Sequence, residues 1–115
     1  IVGSGFISVR NTGHPKCNVV HLRHKNGIDI NVVNIDDLAG GAGMMTLAGT
    51  HAGIQLKFID SFYAFKTQLS SYVDYLRLGD PPVPWEETRE LMQLVIGGTE
   101  SRERAGEEIF LKDIK

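Results

Sequence analysis

Residues 17–35 read CNVVHLRHKNGIDINVVNI. Two β-rich runs flank Asn26-Gly27, the dipeptide favoured where a tight turn needs positive φ. The pattern predicts a hairpin with strands over 17–25 and 28–35 and a type I′ turn at Asn26-Gly27. Val20 and Leu22 share one face of the first strand. Ile28, Ile30 and Val32 alternate on the second, with Asp29 and Asn31 on the other face.

Upstream, residues 1–10 carry Val2, Phe6, Ile7 and Val9 and read as a further strand. Asn11-Thr12-Gly13-His14-Pro15 then makes a loop, because Gly and Pro punctuate it. The chain opens on Ile1-Val2-Gly3 and is apolar from its first residue, whereas chain ends are commonly polar and loose. It is expected to be a piece of a longer protein, starting inside a strand.

Downstream, residues 36–43 form a glycine loop with Gly40, Gly41 and Gly43. Short strands are expected at 44–48 and 54–59, joined tightly through Gly49-Thr50-His51-Ala52-Gly53. The period then changes. Phe62, Phe65, Leu69, Tyr72, Val73 and Leu76 recur at helical spacing and predict an amphipathic helix over 62–78. Ser61 is its expected N-cap and Gly79 its C′ residue. Pro81, Pro82 and Pro84 stop it, and Pro84 opens a second helix. Glu86 and Glu87 suit that helix's first turn, and Arg102 and Arg104 its far end. Leu91, Met92, Val95 and Ile96 are its expected apolar face, with Trp85 packing its start. Residues 108–111 read as a last strand. The expectation is a single α+β domain over 1–115. It has an antiparallel-rich open sheet built from five strands, two helices and a final strand, with the helices on one face.

Composition excludes some function classes. The 115 residues carry a net charge of −2 with both signs interspersed. No basic stripe exists to follow a phosphate backbone, so no nucleic-acid partner is expected. No apolar run approaches the roughly 20 residues that span a bilayer, so no membrane partner is expected either. Cys17 is the single cysteine. An internal disulfide is impossible, which points to a reducing, cytoplasmic location.

Several motifs invite chemistry and fail on geometry. Gly3-Ser4-Gly5 resembles the opening of a dinucleotide fingerprint, but that fingerprint needs a helix directly after its glycines. A loop with Gly13 and Pro15 follows instead, and Asp29 lies in a hairpin rather than at the end of a parallel strand. His14, Cys17, His21 and His24 suggest zinc. Cys17 and His21 would stand about 13 Å apart along a strand, and His21 and His24 face opposite sides. No metal site is expected. Ile1-Val2-Gly3 resembles the N-terminus of activated trypsin-like proteases, yet no nucleophile motif or cysteine framework accompanies it. Asp36-Asp37 reads as a solvated pair. Phe62, Tyr63, Phe65, Tyr72 and Tyr75 read as core and interface. No catalytic constellation survives.

One resemblance runs through nearly the whole chain. Phe65, Gln68, Leu69, Tyr72, Val73, Asp74, Leu76, Arg77 and Gly79 resemble a helix near the C-terminus of the Gfo/Idh/MocA dehydrogenases (glucose–fructose oxidoreductase, inositol dehydrogenase and relatives). Pro84, Trp85, Glu86, Glu87, Thr88, Glu90, Leu91 and Met92 resemble the helix that follows. Ser101, Arg102, Gly106, Ile109 and Leu111 resemble the family's last segment. HPKCNVVHLRHKNGIDINV looks like its H-P to N-G hairpin, with Lys16 where the family has Asp, and LAGTHAGIQL like its G-T turn.

The resemblance implies a two-domain parent. An N-terminal Rossmann domain, absent here, would hold NAD or NADP and the catalytic Lys, so no cofactor is expected in this chain. The present part would line a small-molecule substrate pocket and form a homo-oligomer through its open sheet face. No catalytic residue is carried over. Arg10, Asn11 and His14, in the loop after the first strand, are the candidate substrate residues. The substrate would be a sugar or cyclitol alcohol. Two rival readings are a non-enzymatic dimerisation or ligand-binding module, and a cone-like α+β fold with an apolar ligand between sheet and helix.

Overall fold

The computed structural model describes residues 2–36, 43–58 and 60–114. It is an α+β protein with antiparallel strands. The elements run β1 (Phe6–Asn11), β2 (Cys17–His24), β3 (Asp29–Ile35), β4 (Met44–Ala48), β5 (Gly53–Lys57), α1 (Ser61–Leu78), α2 (Trp85–Glu103) and β6 (Ile109–Phe110). Where the sequence predicts one sheet, the strands divide between two. One has the order β3-β2-β1-β6 and the other pairs β4 with β5. The chain divides into two compact units. Ile1–Asp36 with Val83–Lys115 make the first, and Asp37–Pro82 the second.

The first unit is built on the β2–β3 hairpin, whose seven cross-strand pairs run from Cys17↔Ile35 to Arg23↔Asp29. Its turn differs from expectation. Gly27 has φ of 81°, but Asn26 keeps a negative φ. Gly27 N–H donates to His24 C=O, and His24 N–H to Ile28 C=O. One glycine in the left-handed region after a tight turn is the longer, bulged hairpin loop, not type I′. β1 pairs with β2 through a register shift between Phe6 and Ser8. β6 closes the sheet beside β1, with Val9 opposite Ile109.

α2 covers one face of this sheet. Val9, Leu94, Ile109, Leu111 and Ile114 form the buried core, with Phe6, Val20 and Leu22 packed against it. Burial of each large apolar side chain stabilises by about 1.5–3 kcal/mol. The face that α2 buries is Leu94, Gly97, Gly98 and Ser101. This corrects the expectation: Leu91, Met92, Val95 and Ile96 are all exposed, and Trp85 is 71% exposed instead of packed. Small residues win because they let the helix axis approach the sheet. Pro84 is the residue before the helix, not its first, and its C=O accepts from the N–H groups of Glu87 and Thr88. Glu86 and Glu87 do occupy the first turn and Arg102 the last.

The second unit holds the β4–β5 hairpin, paired from Met44↔Lys57 to Ala48↔Gly53, and α1. α1 is capped by Asp60, whose carboxylate accepts from Tyr63 N–H at 2.8 Å; Ser61, the expected cap, is the first helical residue. Gly79 ends the helix at φ 79° and donates to Tyr75 C=O, as its position predicts. None of α1's residues is buried, so Phe62, Phe65, Leu69 and Tyr72 stand out from the helix rather than in a core. Asp37, Gly40 and Gly41 lie outside the described residues.

Candidate functional site on the open sheet face

The three candidate substrate residues do not converge. Successive residues of a strand point to opposite faces, so β1 sends Arg10 to the uncovered face and Asn11 toward α2. Asn11 is only 3% exposed. Its Nδ2 donates to Asn18 Oδ1 at 3.0 Å, and its Oδ1 accepts from Gly13 N–H at 3.0 Å. His14 closes a tight turn through paired backbone bonds with Cys17. Its Nδ1 accepts from Lys16 N–H at 3.3 Å. Asn11 is thereby a structural residue, and His14 an exposed turn residue. Arg10 alone faces solvent over the sheet, with Nε donating to Gly106 C=O at 2.7 Å.

Residues that the sequence named only as part of the family's last segment make a buried junction where α2 ends. Ser101 is fully buried. Its Oγ accepts from Asn11 N–H at 2.9 Å and donates to Glu107 C=O. Arg102 donates to Asn18 Oδ1 at 2.8 Å. Gly106 N–H returns to Ser101 C=O at 2.8 Å. Ala105 and Gly106 hold φ of 55° and 85°, which swings the chain from α2 into β6. A signal was present: Leu94, Gly97, Gly98 and Ser101 fall at i, i+3, i+4, i+7. Apart from Leu94 they are too small or too polar to register as a hydrophobic stripe.

The uncovered face of the first unit's sheet is half polar and half apolar. Ser8, Arg10, His21, Arg23, Asp29 and Glu108 form the polar half. Ser8 Oγ donates to Glu108, and Arg23 bonds the same carboxylate at 3.3 Å. The Ser8 hydroxyl above all holds the Glu108 carboxyl below its ordinary value; burial opposes it next, and Arg23 and then Arg10 lower it further. His21 Nε2 lies 3.2 Å from Asp29 across the hairpin. Val19, Val33 and Ile35 form the apolar half, all exposed. Cys17, half-buried, pairs with Ile35 there as a free thiol.

Ser8 is the one hydroxyl bonded to a carboxylate there, and at 1% exposure no reacting atom can reach it. An exposed ion pair such as Arg23–Glu108 contributes at most about 1 kcal/mol.

Other sequence motifs resolve similarly. The glycine segment does not fit a pyrophosphate. Gly5 N–H donates to both Glu90 oxygens, at 2.8 and 2.9 Å, and Phe6 N–H to Oε1 at 2.6 Å. A strand, not a helix, follows. His21 and His24 stand on opposite faces. His24 is buried edge-on to Phe6 at a centroid distance of 5.0 Å, with its Nδ1 bonded to Asn26 and its Nε2 unpartnered. The sheet and α2 meet too closely at Val9 and Gly97 for an apolar chamber at that point. Among the described residues, no helix is long and apolar enough to cross a membrane.

Searches against protein-family models, curated proteins and solved structures found no match for this chain.

Proposed function

We propose that the chain is the C-terminal substrate-pocket and oligomerisation domain of an NAD(P)-dependent oxidoreductase similar to the Gfo/Idh/MocA dehydrogenases, acting on a sugar or cyclitol alcohol. The succession of motifs quoted above supports the family. The observation that carries the assembly role is the sheet face opposite α2. It presents Val19, Val33 and Ile35 to solvent beside the Arg10–Arg23–Glu108 array. An apolar patch rimmed by charge is the usual composition of a protein interface. The nicotinamide nucleotide would be held upstream, in the Rossmann domain of the parent. Within this chain Arg10, anchored through Nε to Gly106 C=O, is the candidate on this face that would meet a substrate or a partner.

A second reading is a non-enzymatic dimerisation or ligand-binding module. The burial of Asn11 and its bonds to Asn18 and Gly13 favour it, because they turn one of the three pocket candidates inward. Two measurements separate the readings. Sedimentation velocity on the chain should show an oligomer that Val33→Lys dissociates while far-ultraviolet circular dichroism stays unchanged. A wild-type monomer throughout the micromolar range would sink the assembly role in both readings. The parent protein, assayed for nicotinamide reduction against a panel of polyols and sugars, should turn over at least one. Self-association with no turnover and no cofactor binding in the parent leaves the module reading. The isolated chain should give no heat with NAD or NADP in calorimetry, and micromolar binding would contradict the assignment of the cofactor to the upstream domain.

A further inference from the structure

We draw no further inference here: the strongest candidate, the apolar stripe of Trp85, Met92, Val95 and Ile96 along the exposed side of α2, is an unpartnered helix face, and nothing in the structure shows what covers it.

Discussion

Gly97 of α2 rests directly on Val9 of β1. A Cβ placed at Gly97 would stand 2.7 Å from Val9 Cγ1 and 2.7 Å from Ile114 Cδ1, closer than side chains tolerate. Gly98, its neighbour, has 3.7 Å to Val9 Cγ2, an ordinary contact. The two glycines therefore predict opposite outcomes. Alanine favours a helix over glycine by about 1 kcal/mol. Overpacking a tight core costs about 1–3 kcal/mol. Gly97→Ala is expected to lower the thermal midpoint, and Gly98→Ala to leave it unchanged or raise it. Melts of the two variants side by side check this, and equal shifts would refute the close approach.

Ser101 ties the end of α2 to β1. Ser101→Ala removes the acceptor of Asn11 N–H in a fully buried place. An unsatisfied buried amide costs about 1–3 kcal/mol. Urea unfolding should show a loss of that order, whereas Thr99→Ala, on the exposed side, should change little. A Ser101→Ala variant as stable as wild type would mean that the bond contributes nothing net.

Glu90 gathers the start of β1. Its carboxylate accepts from two consecutive backbone amides, and charge-assisted bonds of this kind are about twice as strong as neutral ones. Glu90→Ala should speed hydrogen exchange at Gly5 and Phe6 well beyond any global change. Glu90→Gln, which keeps an oxygen acceptor, should fall between the two. Unaltered exchange in Glu90→Ala would show that the clasp does not hold in solution.

Glu108 sets a pH dependence with a definite sign. Its carboxyl is lowered in the folded state, chiefly by the Ser8 hydroxyl. The folded chain thus takes up this proton less readily than the unfolded chain. The stabilisation is complete above the unfolded glutamate value and fades as pH falls through the lowered folded value. Ser8→Ala should move the Glu108 midpoint upward, and so should Arg23→Gln. Carbon-detected NMR titration of the side-chain carboxyl reads both. A midpoint unmoved by Ser8→Ala would assign the effect elsewhere.

Local signals carried far in this chain. Alternation around Asn26-Gly27 located β2 and β3, and the shift to helical spacing after Asp60 located α1. Gly79 and the prolines bounded the helices, because φ restrictions act through a residue's own backbone. Such effects need no distant neighbour, so residue order alone reveals them. The choice between two sides of α2 does. Hydrophobicity selects Leu91, Met92, Val95 and Ile96, yet the sheet takes Leu94, Gly97, Gly98 and Ser101. Steric fit against Val9, together with a hydroxyl aligned to Asn11 N–H, exists only once β1 and α2 are brought together over some ninety intervening residues. The same holds for the site. Arg10, Asn11 and His14 are near neighbours in sequence, but strand alternation and the His14–Cys17 turn part them. Arg10 joins Arg23 and Glu108 on the open face instead, a grouping that cross-strand register creates.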